Sequence, residues 1–198
     1  MDVPQAGTYW LTVAIHNAML VDAHLYHNLR HDDPARAQKK RLWWSVLLRD
    51  RILPLGLRRH LQISPDQFDL NIDCMDESDL NDEIHNSQVY SVGTKRSLAH
   101  ILNFQCRLAL ILTSVIITVY APNSFTQPKK TTEQEFMESL SDINNIKLSL
   151  REWYDEATAA LSPITCSDGV HDSVALYSDM MYIYYEYVKT QPQFSLLR

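Results

Sequence analysis

With 198 residues, 45 % of them hydrophobic, the chain has the length of one domain and the apolar material for a real core. A net charge of −6 gives no global positive field to draw the whole chain onto a phosphate backbone, which argues against direct DNA binding. Four glycines leave almost no raw material for phosphate-cradling loops, so nucleotide-binding folds of that type drop out.

Cys74, Cys106 and Cys166 are odd in number and widely spaced. They fit neither a disulfide framework nor a close-set metal site, and they point to a reducing intracellular compartment. The start, Met1-Asp2-Val3-Pro4, lacks the basic and then apolar pattern of a secretory signal. The longest apolar run, 108–120, contains Thr113, Ser114 and Thr118 and falls short of the roughly 18–20 residues a bilayer span needs. It reads as a buried helix, with no membrane contact expected.

In chain order, the first element is a helix from about Thr8 to Leu29, with Trp10, Leu11, Ala14, Ile15, Ala18, Val21 and Leu25 at helical spacing and Thr8 as its N-cap. Asp33 then caps a second helix opened by Pro34, whose missing N–H would be unpaired there anyway. That helix sets Leu42, Trp43, Val46, Leu47, Leu53 and Leu57 on one face, turns Lys39, Lys40, Arg41 and Arg49 largely to water, and stops near Gly56 because of Pro54. Residues 58–92, rich in Asp, Asn and Ser with scattered Ile63, Phe68, Leu70 and Ile72, read as a long, partly ordered surface connection.

The segment from Thr94 to Tyr120 ends in β-branched residues that favour strand, but its length decides for helix. Residues 121–131, with Pro122 and Pro128, form a polar linker. Thr132 and Glu135 then make a capping box for a helix carrying Phe136, Leu140, Ile143, Ile146, Leu150, Trp153, Ala157 and Leu161 up to Pro163. A last helix, about Asp172 to Lys189, carries Val174, Tyr177, Met181, Tyr184 and Tyr185 before Pro192. The expected fold is all-α, an irregular multi-helix bundle of about five main helices in a single domain spanning 1–198.

From Lys40 to Asp73 the sequence reads KRLWWSVLLRDRILPLGLRRHLQISPDQFDLNID. Arg41 precedes Leu42-Trp43-Trp44, Asp50-Arg51 follows, then Gly56, Arg59, and an acidic stretch with Asp69 and Asp73. This resembles the signature of the fungal-specific transcription factor domain, the middle homology region of binuclear-zinc-cluster factors. The Gly-Leu-Arg-Arg variant resembles the subgroup of cutinase transcription factors, and His60 departs from the family's usual Pro. The segment from Tyr9-Trp10 to Leu25 and the Trp153 helix are similar to flanking family helices, so the resemblance covers most of the chain.

Physically, adjacent Trp43 and Trp44 point about 100° apart on a helix and can wedge between two neighbours. Asp50 lies two turns after Trp43 on the apolar face, where it needs a cation or backbone N–H partners, and Arg59 or Arg58 is the expected partner. Trp43, Trp44, Asp50, Arg51, Gly56 and Arg59 are therefore read as structural. A catalytic Asp50 would want a second titratable group in the same pocket.

The resemblance implies a transcription regulator in the nucleus, without the six-cysteine zinc cluster that members carry, and a domain truncated at both ends. Expected partners are other transcription factors or co-regulators, including a zinc-cluster protein, and a small-molecule inducer; control of a secondary-metabolite gene cluster is a further expectation. No cofactor, metal or catalytic residue is expected.

The rival reading is a metal-dependent all-α enzyme using His24, His27 and His31, three and four residues apart beside Asp32 and Asp33. The plainer alternative is a polar helix end, where His also suits the dipole. His31-Asp32 does not extend into a phosphohydrolase set, nor Asp32-Asp33 into an aspartate-rich cyclase motif. Lys39-Lys40-Arg41 is either a nuclear localisation signal or, in preference, a solvated helix face. Tyr177, Tyr182, Tyr184, Tyr185 and Tyr187 either line a ligand pocket or, in preference, pack in the core with hydroxyls reaching water.

Overall fold

The structure, a computed structural model, describes residues 3–57, 60–65, 73–119, 133–165 and 169–190. Arg58, Arg59, Phe68, Asp69, Leu70, Ile72, the expected linker 121–131, the capping Thr132, Cys166, Pro192 and the side chain of Phe136 lie outside the described residues.

The fold is all-α. Among the described residues six α-helices run in the order α1 (Val3–Leu20), α2 (Pro34–Leu57), α3 (Asn81–Asn86), α4 (Val92–Val119), α5 (Glu133–Thr165) and α6 (Asp172–Lys189), with 3₁₀ turns at Ala23–Asn28 and Ser78–Leu80. No strand occurs among the described residues. The β-branched end of α4 is helical, as its length requires.

Local chemistry sets the ends. Asp33 Oδ1 accepts from the Ala35 N–H at 2.8 Å, so the expected cap of α2 is in place. Ser91 Oγ accepts from the Thr94 N–H at 3.1 Å, which starts α4 two residues before the expected Thr94. His171 Nδ1 does the same for Ser173 at 3.1 Å at the head of α6.

Three expected boundaries are corrected. The first helix begins at Val3, with Thr8 inside it, and ends at Leu20 because Asp22 adopts a left-handed backbone, φ 54°. The chain then re-enters a 3₁₀ turn kinked at Leu25, so the predicted single helix to Leu29 does not exist. Trp10, Val21 and Leu25, apolar residues at the expected helical spacing, are exposed. At the other end, α5 runs through Pro163 to Thr165, a last turn in which the Thr165 hydroxyl donates to the Leu161 carbonyl at 3.1 Å.

α4 is the central helix and packs against α2, α5 and α6, while α1 packs on α2. One core cluster joins α4, α5 and α6, with Ile101, Leu108, Leu112, Trp153, Met181 and Val188 at its heart. The other joins α1, the first 3₁₀ turn and α2, with Trp43, Trp44, Tyr26 and Leu47, and reaches α4 at Cys106. Partners on both sides explain why α4 is so apolar. By length and composition it alone among the described residues could cross a membrane, yet half of its most apolar window is buried inside the bundle.

The stretch expected as a surface connection is drawn inward. Ile63, Met75 and Ile84 are almost fully buried, and α3 lies within the range. Lys95, buried at the start of α4, caps α3 by donating to the carbonyls of Glu83 at 2.9 Å, Ile84 at 3.2 Å and Ser87.

Candidate functional site

The residues of the Trp-Trp and Asp-Arg motif lie in α2 and tie separate stretches of the chain onto it. Trp43 and Trp44 are 0 % and 1 % exposed, the core anchors the sequence predicts. The Trp44 indole N–H faces the Asp73 carbonyl at 3.2 Å and the Tyr26 hydroxyl at 3.3 Å, and that hydroxyl itself donates to Asp73 O at 3.1 Å. One ring thus ties the first 3₁₀ turn and the 73–76 strap onto α2. Burial raises the Tyr26 phenol well above its ordinary value, so it stays a donor.

Asp50 and Arg51 are 1 % and 0 % exposed and paired with each other. Asp50 has the neighbouring Arg51 as a partner, and the expected pairing with Arg59 or Arg58 lies outside the described residues. Asp50 Oδ1 and Oδ2 accept the backbone N–H groups of Gln62 and Ile63, each at 3.0 Å. Arg51 Nη2 donates to the Ile63 carbonyl at 3.2 Å, and Nε to the Thr113 hydroxyl at 2.7 Å, which passes a bond to the Ala109 carbonyl at 3.0 Å.

Burial pushes the Asp50 carboxyl up and the Arg51 guanidinium down; the amide donors oppose the first shift, and the mutual attraction opposes both. The space beside Asp50 is about 40 Å³, lined also by His60, enough for about one water and no substrate. Gly56 is in the last turn of α2 with helical backbone and open space where a Cβ would go.

A second buried pair overturns the solvated-face reading of Lys39-Lys40-Arg41 at Lys40. Lys40, 2 % exposed, bonds Asp79 at 2.6 Å, and Asp79 also accepts the Asp76 N–H at 3.0 Å. Lys40 therefore pins the second 3₁₀ turn to α2.

The three imidazoles do not assemble. The helix they would share ends at Leu20, His27 and His31 are exposed, and His24 packs on the Trp43 ring, centroids 5.7 Å apart, with Nδ1 buried and unpartnered. No group of three or more metal-capable side chains occurs among the described residues.

The tyrosines of α6 divide between the two readings. Tyr185 is buried and stacks on Tyr154, centroids 4.7 Å apart, while Tyr177 and Tyr184 line an open trough of about 880 Å³ between α1, α2 and α6. Sequence reasoning missed this trough. Trp10, one of the apolar residues at helical spacing in α1, forms part of its wall.

A sequence profile described as "Fungal specific transcription factor domain" matches residues 5–155, which takes in the motif and the Trp153 turn of α5. Among curated proteins, the chain is similar to Cutinase transcription factor 1 beta of Fusarium vanettenii, 24 % identical over 94 % of this chain and 24 % of that protein. It is also similar to Transcription factor cpaR of Aspergillus oryzae, 22 % identical over 74 % of this chain and 27 % of that protein. A Transcription factor of Fusarium pseudograminearum (strain CS3096) is 35 % identical over 37 % of this chain and 8 % of that protein. The chain thus spans about a quarter or less of the length of these relatives. No solved structure matches.

Proposed function

The chain belongs to the family of fungal specific transcription factor domains, and on that premise we propose that it regulates transcription in the nucleus through contacts with other regulators. The observation that carries this reading is what the motif residues do. All five polar side-chain atoms of Asp50 and Arg51 are engaged with each other, with the Gln62 and Ile63 backbone and with Thr113. Of the residues that carry the family resemblance, Trp43, Trp44, Asp50 and Arg51 are buried and hold the bundle together, and the Asp50 carboxylate faces no pocket of substrate size.

The names of the similar proteins support a regulator and not an enzyme. The three cysteines of these 198 residues fall short of the six of a binuclear zinc cluster, so DNA reading is assigned outside this stretch, to a zinc-cluster protein or segment. Control of a secondary-metabolite gene cluster, with a small-molecule inducer, is the finer part of the proposal.

Transcript profiling of a deletion strain and of the same strain with the gene restored tests the reading. Reversible change in a defined gene set, nuclear accumulation of a fluorescent fusion and recovery of a zinc-cluster protein on pull-down are the expected results. Unchanged transcripts under every inducing condition would refute it.

A further inference from the structure

α1 packs on α2, α6 packs on α4 and α5, and the gap between α1 and α6 is an apolar trough floored by α2. Its main basin, about 880 Å³, is walled by Trp10, Leu48, Leu53, Met180 and Tyr184. A second basin of about 520 Å³ shares Gly7, Ile52, Leu53 and Tyr184 with the first, so the two form one depression. It follows α2 from Arg41 to Leu57, about 24 Å at roughly 1.5 Å per residue.

The charge along this trough is uneven. Arg41 and Arg49 line the first basin, and among the described residues no carboxylate lines either basin and no charged side chain lines the second. Among the described residues neither arginine is in an ion pair: Arg49 donates only to the Ser45 carbonyl of its own helix, at 2.7 Å, and Arg41 has no partner. Two unneutralised guanidinium groups beside exposed Trp10 and Tyr177, on a chain of net charge −6, are a local feature that an anionic partner would complement. Aromatic residues, Met and Arg are also the side chains enriched where binding energy concentrates at protein interfaces.

We propose that this trough docks an amphipathic α-helix of a partner protein, with an apolar stripe of about four turns and carboxylates toward the Arg41 and Arg49 end. The walls are helices and no sheet edge exists among the described residues, so an added helix and not an added strand suits the surface. A compact metabolite fits less well, because ligand pockets enclose most of their ligand, and here the wall residue Trp10 is 66 % exposed. The inference rests on the regulator reading for its biological sense, and on the charge and shape of the trough for its chemistry.

The test uses the whole 198-residue chain and two fluorescein-labelled amphipathic peptides with the same leucine stripe, one with glutamates and one with lysines at the flanking positions. In fluorescence anisotropy the glutamate peptide is expected to bind at least tenfold more tightly. R41Q/R49Q abolishes that preference and R41E/R49E inverts it, with far-UV circular dichroism and thermal midpoint unchanged. Binding also blue-shifts tryptophan emission in the wild type and not in W10F.

Equal binding of the two peptides, insensitivity to both double variants, or a shift that survives W10F overturns the proposal. So does entry of the apolar dye ANS, sensitive to a Leu48→Asp change, with neither peptide bound, since that marks a compact-ligand site. In cells, a deletion phenotype that R41E/R49E fully rescues overturns the docking site alone. The absence of any deletion phenotype overturns the regulator reading.

Discussion

Replacing Asp50 by alanine tests whether the motif is scaffold. The substitution leaves the Arg51 guanidinium, 0 % exposed, without its counter-charge and removes the acceptor from the Gln62 and Ile63 N–H groups. Removing one member of a buried ion pair costs about 3–5 kcal/mol, and each buried amide left unmet costs about 1–3 kcal/mol. The contributions overlap where relaxation admits water, so the expected loss is about 4–6 kcal/mol against a total stability of about 5–15 kcal/mol for a domain. Asp50→Asn keeps an acceptor for the amides and should lose about half as much.

Urea unfolding followed by far-UV circular dichroism and by tryptophan fluorescence measures these losses. The double variant D50L/R51M should cost less than the sum of D50A and R51A by about 2 kcal/mol, because it removes the orphaned charge that each single change creates. A loss under about 1 kcal/mol for D50A, or strict additivity in the cycle, would refute the assignment of Asp50 and Arg51 as one structural unit.

Three further outcomes follow from the same geometry. Lys40→Ala leaves Asp79 buried without its cation and should lower stability by about 3 kcal/mol, whereas Lys39→Ala next to it should stay within about 0.5 kcal/mol, both read from urea midpoints. Gly56→Ala should be neutral or stabilising by up to about 1 kcal/mol, because the backbone there is helical and a Cβ meets nothing within 4 Å; a drop in the midpoint would contradict this. Burial pushes the Cys74 and Cys106 thiols up to about 11 and about 12, so in a C166S background native protein at neutral pH should react with iodoacetamide far more slowly than urea-unfolded protein. The sign runs the same way for stability: the protonated thiols favour the fold below 9.0, and that contribution fades as pH rises through about 11 at Cys74.

The parts of the fold legible in the sequence are those fixed by local chemistry. Asp33-Pro34 starts α2 as expected because an Asx cap and an N1 proline need no tertiary partner. The spacing of Ile146, Leu150, Trp153, Ala157 and Leu161 in α5 marks a real buried stripe. What fails depends on distant residues. Lys40 looks like one of three solvated basic residues until Asp79, 39 positions later, is brought against it. Trp10 and Tyr177 have the same periodicity as buried neighbours, and only the gap between α1 and α6 leaves them exposed. The break at Asp22 rests on a left-handed backbone, which a short polar residue tolerates but does not announce.

The position of the motif within α2 explains how a structural signature can mark a family of regulators. Trp44, Lys40 and the Asp50–Arg51 pair bind three separate stretches, near residues 73, 79 and 62–63, onto one helix. The adjoining side of α2, with Arg41, Ser45, Leu48, Arg49 and Ile52, floors the trough, and Trp44 borders both. Substitutions on the clamping face unfold the domain, while substitutions on the trough face alter what binds without disturbing the clamps. A partner-binding surface on α2 can therefore diverge among related proteins while the Trp-Trp and Asp-Arg pattern stays fixed by packing. The Trp-Trp and Asp-Arg pairs mark the scaffold, and on the docking proposal the choice of partner falls to trough residues such as Trp10, Arg41 and Arg49.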